Sequence, residues 1–332
     1  MNRLFLVVAA AFAAAVPGCA RPGGDEGAPD GQGRPHVVFI FKVLGIPYAD
    51  SLKKGADRAS RELGMRAELL GPATGNDIQG QINLIEDQIA RKVDAIVVSP
   101  NDADSVRPAL RRAEREGIAA YAWDADAPED ARRFYVAGCD DVQIGVDIAE
   151  RLARDLGGKG KVAIMTGGLT AKNLMLHVEG VRKGLKKYPG ITVVEPLLAN
   201  NDQKDQAIKG AISILQKHPD LAGFACVSSP GAPGVAEALL QTGKAGKVKV
   251  WGLSLPSEIR EHVKSGVVSG AILWNPADLT FATAYLVKQD LEGQKPRDGQ
   301  EIPGVGRIRV KGTQVLIPGV VITKDNIDRL DF

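Results

Sequence analysis

From His36 onward the chain alternates short apolar runs with longer amphipathic stretches. His36–Lys42 is apolar until its final lysine, the pattern of a strand buried on both faces. Tyr48–Leu63 carries Ala49, Leu52, Ala56, Ala59 and Leu63 at helical spacing, and Gly64 stops it. Arg66–Leu70 predicts a strand and Ile78–Ala90 a helix with Ile82, Ile85 and Ile89 on one face. Ala95–Ser99 reads as a strand, Ser105–Glu116 as a helix and Ile118–Trp123 as a strand. Strands separated by helices in this way argue for right-handed βαβ units and a parallel sheet.

A second series follows the run Phe134–Ala137. Its predicted helices are Val142–Leu156, Asn173–Lys187, Gln203–Lys217, Gly234–Gln241, Ser257–Lys264 and Asp278–Leu291. Its predicted strands are Lys161–Thr166, Ile191–Leu198, Gly223–Ser228, Val248–Gly252 and Val268–Trp274. The last thirty residues are strand-like and rich in Gly and Pro, with Gly312 in a turn. The same unit thus runs through two halves of similar size. With 332 residues, two domains are a better fit than one large sheet.

Composition narrows the function more than the fold. Apolar residues at 44% and charged residues at 25% describe a globular protein. Forty-two Lys and Arg against 40 Asp and Glu leave no basic surplus for a nucleic-acid partner. The one short basic run, Arg182–Lys187, reads as a solvated helix face.

The N-terminus departs from that average. Arg3 is the only charge before Arg21, and Leu4–Val16 is continuous and apolar. The run is short for a bilayer span and suits a secretory signal. It ends in Val16-Pro17-Gly18-Cys19, which resembles a bacterial lipobox, although Pro17 is unusual there. Residues 1–18 are read as a signal peptide, Cys19 as the lipid attachment site, and 19–35 as the lipidated Cys with a flexible tether. Cys139 and Cys226 remain, either paired or as free thiols.

Catalytic and cofactor signatures fail one by one. Gly252-Leu253-Ser254-Leu255-Pro256 lacks the final Gly of a nucleophile elbow. Gly157-Gly158-Lys159-Gly160 lacks the spacing of a phosphate loop, and no GxGxxG follows the first strand. No Cys/His spacing suggests a metal, so no cofactor is expected.

Polar and aromatic groups instead collect where strands end, which is where open α/β sheets bind ligands. Lys42 and Tyr48 follow the first strand, and Asp124 and Asp126 follow the fourth. Lys172, Asn173, Ser228, Ser229, Trp274 and Asn275 follow strands of the second half. A carboxylate accepts hydrogen bonds from adjacent hydroxyls, Lys and Asn donate, and an aromatic ring covers a C–H face. That set suits a small polyhydroxylated ligand. The plainer readings are a loop or capping carboxylate at Asp124, a solvent-facing Asp126, a surface Lys42, and core aromatics at Tyr48 and Trp274. Trp251 lies mid-strand and reads as core.

These residues also carry a resemblance. Phe41–Tyr48 looks like the first ligand loop of periplasmic sugar-binding proteins of the ribose-binding type. Ala95–Asp104 (AIVVSPNDAD), Trp123–Asp126 (WDAD), Val248–Glu258 with GLSLPSE, Gly266–Pro276 (GVVSGAILWNP) and Thr323–Phe332 are similar to the branch holding rhamnose-binding proteins and autoinducer-2 receptors of ABC transporters. The resemblance covers residues 36–332.

It implies an α/β fold of type I: two Rossmann-like lobes with parallel sheets, joined by a three-segment hinge that closes over the ligand. It places the first lobe at 36–137 plus 271–302. The second lobe is 138–270, plus 303–332 as a hinge-crossing tail. It further implies a monomeric, extracytoplasmic binding protein, not an enzyme, that serves ABC permease subunits from a membrane anchor. Lys42 and Asp124 match ligand-contacting positions of the autoinducer-2 receptors, and Ser254 falls within a matched stretch. Where those receptors carry an Asp-Gln pair this chain has Ala171 and Lys172. Val227 stands where a Pro is expected, and Asn275 where an Asp is common. The departures imply a sugar or deoxysugar rather than autoinducer-2, and Lys172 raises the idea of an acidic sugar. The competing role is a receptor that passes its closed state to a signalling partner. A sugar-responsive repressor would need a DNA-binding N-terminus in place of the signal-like segment.

Overall fold

The computed structural model describes Met1 and residues 33–332. The expected signal peptide, Cys19 and nearly all of the tether lie outside the described residues.

Two parallel-sheet α/β lobes make up the body. The first half contributes β1 (His36–Ile40), α1 (Pro47–Glu62), β2 (Arg66–Leu70), α2 (Ile78–Ala90), β3 (Ala95–Val98), α3 (Ala103–Arg115), β4 (Ala119–Trp123) and β5 (Tyr135–Ala137). The second half contributes α4 (Asp141–Asp155), β6 (Lys159–Thr166), α5 (Lys172–Leu185), β7 (Gly190–Ala199), α6 (Lys204–Lys217), β8 (Leu221–Cys226) and α7 (Gly231–Gln241). It continues through β9 (Lys249–Gly252), α8 (Pro256–Lys264), β10 (Gly270–Leu273) and α9 (Pro276–Leu291). The tail adds β11 (Glu301–Ile302), β12 (Gly306–Arg307), β13 (Arg309–Lys311), β14 (Gln314–Leu316) and β15 (Val320–Ile322).

The first sheet runs β13-β14-β5-β4-β3-β1-β2 and the second β15-β10-β9-β8-β6-β7. Within each, the parallel strands follow the doubly wound order 2-1-3-4-5. Strand β1 shows why its sequence is continuously apolar. Val37 and Phe39 join the core beneath α1, while Val38 and Ile40 join a separate core with residues of α2 and α3. From Val37 to Ile40 both faces are covered, so these four positions are apolar; the half-buried His36 at the strand's start is not.

Helix starts follow their sequence signals. Pro47 occupies the first turn of α1, where a missing N–H costs nothing. Asp77, Asp102 and Asp140 accept from backbone amides at the starts of α2, α3 and α4.

The lobe boundaries differ from the expected ones. Strand β10 pairs in parallel with β9, so 270–273 belongs to the second sheet, and the chain recrosses at Trp274-Asn275. The β13–β14 hairpin, turned at Gly312 (φ +60°), pairs with β5 in the first sheet. Only β15 and the C-terminus return to the second lobe, where Arg260 donates to the carbonyls of Ile327 and Leu330. The sequence marks the tail only as strand-like with a turn at Gly312, and nothing in its pattern says which sheet has an edge free to take it. The three crossings, at 138–140, 274–275 and 317–319, run side by side: Ile317 N–H donates to Ala137 O at 3.0 Å, and Gly319 packs near Leu273 O and Gly138 O.

Candidate ligand cleft

The carboxyl ends of both sheets face each other across a cleft enclosing about 400 Å³, part of it open to solvent. Phe41, Lys42, Ile46, Tyr48 and Asp124 line it from the first lobe. Asn173, Leu174, His177, Asp202, Ser228, Ser229 and Leu253 line it from the second, with Trp274 at a crossing.

Asp124 organises the first-lobe wall. The chain reverses directly after β4, with Asp124 in the left-handed region at φ +60°. Its Oδ2 accepts from Lys42 Nζ at 2.7 Å and Ser99 Oγ at 2.9 Å, and its Oδ1 from Tyr48 OH at 2.8 Å. Trp274 Nε1 donates to Tyr48 OH at 3.0 Å. Burial, followed by the Asp124 charge, holds the Tyr48 hydroxyl well above its ordinary range, so it stays a donor.

The N-terminus of α5 supplies the opposite wall. Asn173 accepts from Lys42 Nζ at 3.1 Å and donates to Asp124 O at 3.1 Å, so it bonds across the cleft. One turn further on, His177 places Nε2 3.1 Å from Asp141 Oδ1 and Nδ1 3.4 Å from Val227 O. Tyr135 OH lies 3.0 Å from Asp124 O and 3.2 Å from Asp141 Oδ2. Polar contacts therefore connect the two walls behind the cavity. Two further bonds between uncharged groups cross at the rim: Asn76 Nδ2 to Asn201 Oδ1 at 2.7 Å, and Thr170 Oγ1 to Asn101 O at 2.9 Å.

Four sequence-predicted residues do not line the cavity. Asp126 turns away to Arg132, whose Nε donates at 2.6 Å, and to Lys172 Nζ at 3.1 Å. Lys172 is half-exposed at the rim and committed to Asp126. Ser254 is buried and donates to Ser229 O at 2.9 Å. Asn275 caps α9 through the Ala277 amide. Residues that sequence reasoning missed include His177, Asp202 and Leu253. His177 stands four residues after Asn173 on one helix face, a spacing that could have found it.

The remaining features fall outside this site. Trp251 is buried and donates to Asp155 Oδ2 at 2.7 Å. Cys139 and Cys226 are unpaired thiols, each pushed upward by burial. No helix among the described residues is long and apolar enough to cross a membrane.

This architecture is that of a two-lobed solute-binding protein. Residues 37–295 match the periplasmic binding protein domain, and the chain belongs to that family, one of binding proteins and not of enzymes. It is similar to the D-allose-binding periplasmic protein of Escherichia coli, 28% identical over 275 residues, covering 80% of this chain and 86% of the relative. An ABC transporter solute-binding protein from Burkholderia graminis, solved with D-arabinose, is 32% identical at a TM-score of 0.78, covering 88% and 96% of the two chains. LsrB from Clostridium saccharobutylicum, solved with AI-2, is 26% identical at a TM-score of 0.81, covering 90% and 100%.

Proposed function

We propose that this protein captures a small sugar or deoxysugar, of the size and polarity of rhamnose, in the interlobe cleft and delivers it to an ABC importer. One observation carries the reading. Buried donors and acceptors from both lobes converge on the interlobe cavity beside the aromatic rings of Tyr48 and Trp274. Such groups are satisfied by hydroxyls and left wanting by hydrocarbon. The relatives' names, for D-allose and D-arabinose, point the same way. Autoinducer-2 fits less well, because Ala171 and Lys172 replace the Asp-Gln pair of its receptors and Lys172 is engaged with Asp126. That engagement also removes the support for an acidic sugar.

In the same reading the protein is exported, carries a lipid on Cys19 and works as a monomer beside its permease. Thermal melts against D-allose, D-arabinose, D-ribose, L-rhamnose and autoinducer-2 test the ligand. At a hundred times its dissociation constant a ligand adds about 2.7 kcal/mol, a rise of several degrees. No shift with any sugar would sink the reading. Loss of membrane association in Cys19→Ala tests the anchor.

A further inference from the structure

Most charged groups around the cleft are matched. Lys42 faces Asp124, and His177 faces Asp141. Asp202 is different. It lines the cavity, and among the described residues no donor is hydrogen-bonded to its carboxylate; only its backbone amide is engaged, donating to Asn200 Oδ1 at 2.9 Å.

The placement is built rather than incidental. Asp202 follows β7 in a turn where it and Asn201 both adopt the left-handed conformation, φ +56° and +50°. Asn and Asp tolerate that conformation better than other non-glycine residues. Asn200, which holds the turn, donates through Nδ2 to Ser228 Oγ at 2.9 Å, tying the turn to a second cavity residue. Across from it stands Gly167, and a Cβ there would overlap the Asp202 carboxylate. The glycine leaves the space that the carboxylate fills.

Asp202 is partly exposed at the mouth of the cleft, so in the free protein water can serve its carboxylate; a ligand that fills the cleft would displace that water and, at a cost, leave the carboxylate without a donor unless the ligand supplies one. Burial raises the Asp202 carboxyl above its ordinary range; Asp124 adds to the effect and Lys42 opposes it. A ligand that presents a hydroxyl or amino donor recovers that cost, whereas a ligand carrying a negative charge increases it.

We propose that Asp202 sets the charge specificity of the cleft, accepting a neutral or aminated sugar or polyol through a donor on the ligand and rejecting sugar acids. The inference rests on the sugar-binding reading above and adds a residue and a selection rule to it.

The test is calorimetric titration of the protein with D-allose, D-arabinose, D-ribose and L-rhamnose. The tightest of these is then compared with its uronic or aldonic acid. Wild type should bind the neutral sugar at least about 100-fold more tightly than the acid. Loss of a charge-assisted hydrogen bond in Asp202→Asn should weaken the neutral sugar about tenfold and shrink the gap to the acid by a similar factor. Gly167→Ala, which displaces the carboxylate and leaves its charge in place, should also weaken the neutral sugar. Unchanged melting of the free Asp202→Asn protein separates these effects from misfolding. Comparable binding of acid and neutral sugar by wild type overturns the inference, as does an undiminished gap in Asp202→Asn; in both cases sugar binding itself stands. A panel in which nothing binds removes the sugar reading and this inference together.

Discussion

Lys42 Nζ and Asp124 Oδ2 lie 2.7 Å apart, each side chain almost wholly buried, although one residue follows β1 and the other follows β4. The pair spans the first lobe's switch point and fixes the first-lobe wall of the cavity. Asp124 has three donors and Lys42 reaches across to Asn173, so neither charge is stranded.

Removing one partner strands the other. Lys42→Met leaves a buried carboxylate held by two neutral hydroxyls. The expected loss is about 3–5 kcal/mol of stability, read by denaturant melts, together with at least a tenfold loss of sugar affinity. Stability within error of wild type would show that the pair is not the support described.

The Asp126–Lys172 bridge should behave differently. Lys172 is half-exposed, and exposed pairs contribute about 0–1 kcal/mol and weaken with salt. Lys172→Ala should change sugar affinity no more than about fivefold, and it should flatten any salt dependence seen by titration at low and high ionic strength. A large loss that salt does not affect would instead place Lys172 on the ligand.

Glu258 gives a pH signature. It sits at the outer edge of the cleft with Ile46, Pro47 and Lys204, and burial pushes its carboxyl up to about 7 from 4.5. Between those values the folded chain holds a proton that the unfolded chain has released. Its contribution to stability is therefore fully present below pH 4.5 and is lost as pH rises through about 7. The upper bound is about 3 kcal/mol before solvent screening is discounted. Glu258→Gln should flatten the fall in melting temperature over that window; an unchanged slope would contradict the assignment.

Gly138 lies at the first crossing beneath the Trp274 ring, and an added Cβ would overlap that ring. Gly138→Ala should move Trp274, break its bond to Tyr48 and cost about 1–3 kcal/mol. Tryptophan fluorescence of the free protein should shift, and sugar binding should weaken. An unperturbed spectrum would mean the crossing has room to adjust.

Much of this was legible because strand ends are legible. Lys42, Tyr48, Asp124, Asn173, Ser228, Ser229 and Trp274 sit where an apolar run stops, and there the doubly wound order turns side chains toward the facing lobe. Asp126 lies outside the cavity lining because the chain turns at Asp124 in a left-handed conformation, and no periodicity encodes that turn. At the next loop Leu253 lines the cavity, while Ser254 bonds back to Ser229 O. Asp202 was missed because its aim comes from two left-handed residues in a loop that reads only as polar. The tail was hardest, since three-residue strands join whichever sheet offers an open edge.

The bonds that run from lobe to lobe have a consequence for how faithfully closure reports cargo. Lys42 to Asn173, Asn76 to Asn201 and Thr170 to Asn101 are made by the protein alone. If the lobes close over a ligand by the hinge motion that the resemblance implies, each bond lowers the free energy of the closed form whether or not a sugar is inside. Such contacts slow the escape of a captured ligand, and equally they populate an empty molecule that looks loaded. A partner that senses only shape would then be engaged for nothing. Under that motion the number of direct lobe-to-lobe bonds would trade retention against false engagement, and the ligand's own share of closure energy would have to keep the two states apart.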